Sequence, residues 1–250
     1  MTNWIPAKIQ KIRYFNNKNL LKIILTAKID CFIAGQFSKI LIKKKNKNIQ
    51  RAYSFVNAPK KKKIEFYITL VKKGEMSNEL KNLNDTDKIF VSKQSFGYFT
   101  LIEIKKSFEN LWMISTGTGI GPYLSILQEK KNLQKFKKII LIQSVRYFSD
   151  LIYLSKIKKL KKIYKKKLIV KISISREKKK NFLNKRLTKL LKNKFFEKSL
   201  NIKMNKKNSH IMLCGNPNMV QDVQKWLINK KKMTKNLRKF PGNITIEKYW

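Results

Sequence analysis

Cysteine and histidine are almost absent from this 250-residue chain, which has two cysteines, Cys31 and Cys214, and one histidine, His210. The two cysteines lie far apart and form no C-x-x-C motif. Neither a metal site nor a disulfide framework is therefore predicted. Free thiols suit a reducing compartment, so a cytoplasmic location is expected.

Long apolar runs are also missing. The first residues, Met1 to Pro6, lack the charged head and apolar core of a secretory signal. No apolar run approaches the length that a membrane-spanning helix requires. Secretion and membrane anchoring are therefore not expected.

Acidic residues are scarce, since 14 Asp and Glu face 59 Lys and Arg, which gives a net charge of +45. Such a charge is typical of a nucleic-acid-coating or unfolded chain, but a hydrophobic content of 42% indicates a globular protein. Arginine is scarce too, with six residues, and the lysine excess accompanies residues that share AT-rich codons. The charge is therefore weak evidence for nucleic-acid binding, whereas each arginine indicates a need for bidentate phosphate or carboxylate contacts.

The spacing of apolar residues changes near residue 100, and a chain of this length can form two domains. Before that point, short β-rich runs predict a small antiparallel barrel or sandwich. These runs are Ile9 to Phe15, Leu20 to Thr26, Ile40 to Ile42, Arg51 to Val56, Ile64 to Val71 and Ile89 to Val91. The boundary is predicted between Glu103 and Asn110.

The second half alternates strand-like and helix-like segments, which predicts a parallel sheet covered by helices. The strands are expected at Leu111 to Ser115, Ile139 to Ser144, Leu168 to Ser173 and His210 to Cys214, and the helices near Tyr123 to Leu133, Asp150 to Tyr164 and Met219 to Asn229. Ligands bind at the carboxyl ends of such strands. Loops at Thr116, Arg146, Arg176 and Gly215 follow the strands and are therefore expected to share one rim.

Three alternate glycines, Gly117, Gly119 and Gly121, follow the first of these strands and precede Pro122. Glycine permits close approach of backbone amides, and proline suits the first turn of a helix, whose N-terminus attracts phosphate. The dinucleotide fingerprint G-x-G-x-x-G would need glycine at Pro122, so an ordinary Rossmann loop is disfavoured. A tight turn without a ligand is the alternative.

The segment Arg51-Ala52-Tyr53-Ser54 combines a cation, an aromatic ring and a hydroxyl at the end of a predicted strand. Such a set can clamp a phosphate, stack on a ring and donate a hydrogen bond. Each residue also has a plainer interpretation, because Tyr53 could be a core tyrosine. Likewise Cys214 could be a small buried hydrophobe, Glu247 a surface carboxylate and His210 a strand residue without a chemical role.

Five motifs in one order resemble those of the ferredoxin/flavodoxin–NADP⁺ reductases. They are Arg51-x-Tyr53-Ser54, Gly74-Glu-Met-Ser77, Thr116-Gly-Thr-Gly-Ile-Gly-Pro122, Cys214-Gly-Asn-Pro217 and Glu247-Lys-Tyr249-Trp250. The terminal Tyr-Trp resembles the bacterial branch of the family. The resemblance extends over nearly the whole chain and implies an antiparallel FAD-binding β-barrel over 1–104 and an NADP(H)-binding α/β domain with a parallel sheet over 110–250.

The resemblance also implies where FAD binds. Arg51 would meet the pyrophosphate, Tyr53 would stack on the isoalloxazine, Ser54 would lie near its N5, and the Gly74 loop would hold the phosphates. The full FAD set that it implies is Arg51, Ala52, Tyr53, Ser54, Tyr67, Gly74, Glu75, Met76, Ser77, Thr118, Tyr249 and Trp250.

For NADP(H), which would be a substrate, the resemblance implies binding by Arg146, Ser175, Arg176, Arg186, Gly215 and Asn216. The three arginines would surround the adenosine 2′-phosphate, Cys214 and Glu247 would flank the nicotinamide, and Ser54, Cys214 and Glu247 would be the catalytic residues. Electrons would pass to acidic flavodoxin or ferredoxin, with the protein a monomer that binds neither membranes nor specific nucleic acid. The alternatives are a basic nucleic-acid-binding or membrane-surface module and another NAD(P)H–flavin reductase of the superfamily.

Overall fold

The structure, a computed structural model, describes residues 2–44 and 47–249 and divides the chain into two units. The first unit contains the residues up to Thr100 together with Gly121–Glu129. The second contains Leu101–Ile120 and the residues from Lys130 onward. The chain therefore passes between the units three times, and the limits 1–104 and 110–250 stay predictions.

The first unit is built on a six-stranded antiparallel sheet with the strand order β4-β3-β6-β1-β2-β5. The strands are β1 (Trp4–Phe15), β2 (Leu20–Thr26), β3 (Phe37–Lys43), β4 (Asn48–Ser54), β5 (Ile64–Thr69) and β6 (Ile89–Ser92), with helix α1 at Glu75–Lys81. A single bridge between Phe55 and Phe66 joins β4 to β5, the two outer strands. The sheet thereby closes on itself as a barrel.

Apolar side chains at alternate positions of the strands fill the interior of this barrel. Along β2, Leu21, Ile23 and Leu25 are fully buried, and the intervening positions are less so. Successive residues of a strand point to opposite faces, so this pattern buries one face. The rings of Phe55 and Phe66 stack at a centroid distance of 5.4 Å, which packs the closing bridge against the core.

The second unit is built on a five-stranded parallel sheet with the strand order β11-β10-β7-β8-β9. The strands are β7 (Asn110–Thr116), β8 (Lys138–Val145), β9 (Leu168–Ile174), β10 (Ser209–Gly215) and β11 (Ile244–Lys248), and the other helices of the chain are α2 (Gly121–Glu129), α3 (Leu154–Tyr164), α4 (Leu187–Lys192), α5 (Lys194–Leu200) and α6 (Pro217–Lys231). Residues Leu111 to Ser115 are fully buried without alternation, as expected of a parallel strand covered on both faces. The predicted fold class is confirmed.

Some elements differ from the prediction. Helices α1, α4 and α5 and strand β11 have only five to seven residues each, so their periodicity is too short to recognise in a lysine-rich segment. Helix α3 begins at Leu154 because Phe148–Asp150 form a separate 3₁₀ turn. Among residues 2–44 and 47–249, no helix is long and apolar enough to cross a membrane.

Candidate active site

The parallel register of the second unit brings four strand ends to one rim. Thr116 pairs with Ser144, Ser144 with Ser173, and Ser115 with Cys214. The loops that follow β7, β8, β9 and β10 therefore leave the sheet at the same edge. This arrangement agrees with the shared rim expected for the loops at Thr116, Arg146, Arg176 and Gly215.

Glycines allow two of these loops to cross in direct contact. A Cβ added at Gly119 would lie 2.6 Å from the carbonyl oxygen of Cys214. A Cβ at Gly215, where φ is +125°, would lie 2.4 Å from Thr116 Oγ1. Both glycines thus accommodate neighbouring atoms of the protein rather than a phosphate. Only at Gly117 among the glycines of the described rim does the Cβ direction face open space.

The crossing is fixed by hydrogen bonds. The N–H of Asn216 donates to Thr116 Oγ1 at 2.9 Å. The side-chain oxygen of Asn216 accepts from the N–H groups of Asn218 and Met219 and caps α6, with Pro217 in its first turn. An asparagine cap followed by proline is a strong start for a helix. The predicted nucleotide residue Asn216 therefore also has a structural role.

Cys214 and Glu247 lie side by side at this rim. They are paired in the β10–β11 register, and the Cys214 Sγ–H points to Glu247 Oε1 at 3.9 Å. Burial raises the pKa of the fully buried Cys214 thiol well above its usual range, and the Glu247 charge adds to the effect. The thiol is thus neutral at physiological pH and acts as a weak donor rather than as a thiolate.

The arginine loops after β8 and β9 are joined by their backbones. The N–H of Arg176 donates to the carbonyl of Arg146 at 3.0 Å, and the N–H of Ser175 donates to that of Val145 at 2.9 Å. Arg186 occupies the N-cap position of α4 without a side-chain capping bond, after a segment that returns to β9 through the Ser173–Leu183 bridge. Within the described residues, no carboxylate forms an ion pair with the exposed guanidinium groups of Arg146, Arg176 or Arg186.

Two supporting residues of the rim were not predicted. The carboxylate of Asp150 accepts hydrogen bonds from the N–H groups of Arg146 and Tyr147, at 3.2 and 3.0 Å. Thr116 Oγ1 supports the crossing of the glycine loops. An acidic residue three positions after an N-cap, as Asp150 is after Tyr147, is a capping-box signal that could have indicated Asp150. Thr116 opens the glycine motif noted in the sequence, but no local signal indicates that its hydroxyl binds Asn216, 100 residues away.

In the first unit, the Arg51 segment lies on β4, which pairs with β3. Arg51 and Ala52 are exposed, Tyr53 is half-buried and Ser54 is buried. The Tyr53 ring packs on the barrel core, 6.4 Å from that of Phe66, and burial raises the pKa of its hydroxyl. The exposed Arg51 guanidinium donates to the Gln50 carbonyl at 2.8 Å, so this strand end presents a cation on the same strand as an aromatic ring.

The second predicted FAD loop begins at Gly74, the N-cap of α1. Ser77 is buried, and its hydroxyl accepts from the N–H of Val71 at 2.9 Å. Met76 packs in the core, and Glu75 forms an ion pair with Lys47. The first amides of a helix have no partner within the helix. The side chains of Met76 and Ser77 therefore have structural roles, and phosphate binding by these amides stays a prediction.

The remaining predicted residues are distributed over both units. Tyr67 is buried on β5, and Thr118 is buried in the 3₁₀ turn Gly117–Ile120. The N–H of Tyr249 donates to the Gly215 carbonyl at 2.9 Å. Trp250 lies outside the described residues. The described part of the chain contains no group of three residues that could hold a metal ion.

Comparison with known proteins identifies the class first. Residues 10–99 match the oxidoreductase FAD-binding domain, and residues 113–225 match the oxidoreductase NAD-binding domain. The chain is therefore an oxidoreductase of the class that joins these two domains.

Relatives along the whole chain identify the family. A flavodoxin/ferredoxin–NADP reductase of Buchnera aphidicola subsp. Baizongia pistaciae is 52% identical over 251 residues, and that of Escherichia coli is 40% identical over 250, with all of each chain covered. A crystal structure of a ferredoxin NADP⁺ reductase from Neisseria gonorrhoeae with bound FAD and NADP has a TM-score of 0.90 and 27% identity, with 99% of both chains covered. The chain belongs to the flavodoxin/ferredoxin–NADP reductase family.

Proposed function

We propose that this protein is an FAD-dependent oxidoreductase that transfers electrons between NADPH and a flavodoxin or ferredoxin. The observation that carries the proposal is the full-length identity of 40–52% with reductases of that name. The second unit supports it independently, because the Cys214–Glu247 pair and three unpaired arginines lie on loops and strand ends of one sheet.

The first unit offers a donor set that fits FAD. The exposed Arg51 guanidinium suits a pyrophosphate, since it donates in a planar fork. Tyr53 offers a ring that is already fixed by the barrel core, so stacking costs little further ordering. The amides after Gly74 supply further phosphate donors. FAD held by these residues would supply the chemistry that couples two-electron hydride transfer to one-electron transfer.

The second unit offers a donor set that fits NADP(H). The backbone hydrogen bond from Arg176 to Arg146 joins the two arginine loops, and Asp150 fixes the first of them by accepting from the Arg146 N–H. Arg146 and Arg176, together with Arg186, surround the 2′-phosphate. This phosphate distinguishes NADPH from NADH. Ser175, Gly215 and Asn216 bind the rest of the nucleotide.

Cys214 and Glu247 orient the nicotinamide. The neutral thiol offers a small polarizable surface, and its hydrogen bond to the carboxylate fixes both side chains. Neither group needs to act as a base while hydride is transferred. Glu247 at its carboxylate oxygen, or Ser54 at its hydroxyl, carries the proton that accompanies the electrons.

The natural acceptor is an acidic carrier protein, and the reaction takes place in the cytoplasm on a monomeric enzyme. The charge of +45 favours encounter with an acidic partner. Because the family includes enzymes that use either flavodoxin or ferredoxin, both are candidates.

Purification followed by an absorption spectrum and a turnover assay tests this function. We expect flavin absorption bands and NADPH-dependent reduction of flavodoxin or ferredoxin. A colourless protein that takes up no FAD would contradict the proposal. Reduction of free flavin with no reduction of either carrier would instead indicate a free-flavin reductase.

Replacement of both Arg176 and Arg186 by alanine tests the nucleotide assignment. We expect KM for NADPH to rise about 100-fold, since each charge-assisted contact is worth about 1.5–3 kcal/mol, and KM for NADH to change little. Steady-state kinetics with both nucleotides measure the effect. Arg238→Ala, which removes an arginine beside Glu103 instead, serves as the control. Equal losses for NADPH and NADH would remove the 2′-phosphate assignment.

A further inference from the structure

His210 and Thr245 share a sheet face with Cys214 and Glu247. Alternate residues of a strand lie on one face, so His210 and Cys214, four apart on β10, have the same orientation. The same holds for Thr245 and Glu247, two apart on β11. The parallel register pairs Cys214 with Glu247 and Met212 with Thr245, which puts all four side chains on one face.

A buried hydrogen bond links the first two of these side chains. His210 Nε2 lies 3.0 Å from Thr245 Oγ1, and the two residues are 0% and 8% exposed. The ring of Phe108 lies 5.3 Å from the imidazole. Burial, aided by the charge of Lys135, lowers the pKa of His210 to about 3. The imidazole is thus neutral at physiological pH and sheltered from water.

Strand β11 has little other support at its Glu247 end, because it is an edge strand of five residues in the sheet. On the side away from β10, the backbone hydrogen bonds of the described residues reach only Ile244, which donates to the Thr234 carbonyl at 3.0 Å and accepts from the Asn236 N–H at 2.8 Å. On the Cys214 face, a polar chain continues from Thr245 Oγ1 to Asn236 Nδ2 at 3.4 Å, and this amide donates to the Glu103 carbonyl at 2.9 Å. The chain secures the strand that carries Glu247.

We propose that His210 and Thr245 are positioning residues whose hydrogen bond holds strand β11 so that the Glu247 carboxylate stays against the Cys214 thiol. The proposal rests on the proposed roles of Cys214 and Glu247 in nicotinamide binding. It assigns a role to His210, the single histidine of the chain. His210 is not among the residues proposed above to bind FAD or NADP(H).

The His210–Thr245 hydrogen bond is called the clamp below. The reactivity of the Cys214 thiol tests the clamp without enzyme turnover. In a Cys31→Ser background, which leaves Cys214 as the only thiol, Thr245→Val removes the hydroxyl and nearly preserves the shape. We expect alkylation of Cys214 by iodoacetamide to accelerate about fivefold, the effect of one net hydrogen bond. Thr245→Ser keeps the hydroxyl and should react like the parent. His210→Leu removes the other partner and should match Thr245→Val, so a folding failure of one variant leaves the other decisive. A parent-like rate in either folded variant would overturn the proposal.

Coupling to Glu247 gives the second readout. The rate of FAD reduction by NADPH in a single turnover should fall about 10-fold in Thr245→Val, because small misplacements at a reacting centre are costly. The double variant Thr245→Val, Glu247→Gln should be no slower than Glu247→Gln alone. Additive losses would mean that Thr245 does not act through Glu247 and would overturn the clamp. If Glu247→Gln alone leaves the rate unchanged, the proposed role of Glu247 fails, and thiol reactivity still decides the clamp.

Discussion

Tyr53 packs in the barrel core and is also the residue proposed to stack on FAD. Its ring packs on the barrel interior beside Phe66, yet it lies on the same strand as the exposed Arg51. The choice between core tyrosine and cofactor contact is therefore not exclusive. A ring fixed by the core is preorganised for stacking.

Arg51→Ala and Tyr53→Ala should each weaken FAD retention while the fold survives. Loss of a charge-assisted phosphate contact or of ring stacking should raise the Kd for FAD about 10- to 100-fold. Fluorescence of released flavin after dialysis measures the effect. Arg13→Ala, another exposed arginine of the first unit, is the matched control. Full FAD occupancy in both test variants would contradict the assigned contacts.

The single histidine makes stability depend on pH in a predictable direction. Burial lowers the pKa of His210 from 6.5 to about 3, so the unfolded chain binds a proton that the folded chain excludes. The free energy of unfolding is therefore unaffected by this titration above pH 6.5. As the pH falls from 6.5 toward the folded-state pKa of about 3, it decreases by about 1.4 kcal/mol per pH unit. Urea unfolding between pH 7 and 5 should therefore show a steeper decline for the parent than for His210→Gln. Parallel declines would show that His210 titrates normally.

Side chains recognised by a motif could be predicted, and those defined by a neighbouring strand could not. Arg51 and Cys214 stand in short motifs, so the sequence could indicate them. Asp150, Thr116 and Thr245 support the second unit through partners 4, 100 and 35 residues away in sequence. The latter two sequence separations are too long for a local pattern to indicate the contact. These contacts arise from the order of strands in the sheet.

Strands and helices of ordinary length were predictable because their apolar periodicity extends over several turns or pairs. Strand β2 matches its prediction at both ends. Short elements such as α4 and β11 were missed. The six residues of α4 form less than two helical turns, and the five residues of β11 give less than three alternations of side chains. Missing strand β11 mattered most for the site, because its pairing with β10 creates the contact between Cys214 and Glu247.

The crossing of the β7 and β10 loops should be intolerant of a single methyl group. Gly119→Ala would place a Cβ 2.6 Å from the Cys214 carbonyl, so we expect a loss of about 2–4 kcal/mol in the free energy of unfolding. Gly117→Ala meets no atom within 4 Å but has a φ of +53°. It should cost only about 1 kcal/mol from backbone strain. Chemical denaturation of both variants measures the difference, and equal losses would contradict the packing argument.

The net charge of the chain has a kinetic consequence. A net charge of +45 creates a field that accelerates encounter with an acidic carrier. The screening distance falls from about 8 Å at physiological salt to about 3 Å at 1 M. Electron transfer to the carrier should therefore slow about 10-fold or more over this range. Transfer to a small neutral acceptor is the control and should change little. Equal salt dependence for both acceptors would show that the field does not steer the carrier.

Specific nucleic-acid binding is the competing explanation of the same charge. Contacts to phosphate alone weaken steeply with salt, so nonspecific binding should appear at low salt and fade near physiological strength. Filter binding with random and defined RNA distinguishes the two. Tight, sequence-selective binding at physiological salt would favour the nucleic-acid function.

The three passages of the chain between its units limit how the protein can be divided. Helix α2 follows β7 in sequence, yet it belongs to the first unit, where Ser125 Oγ and Gln128 Nε2 donate to the carbonyls of Asn57 and Val56, each at 2.7 Å. A cut near residue 104 separates this helix from the barrel residues that it covers. The two units are therefore interleaved along the sequence. Recombination that exchanges one unit for a homologous one would therefore have to transfer α2 as well, so the two halves are expected to be inherited together.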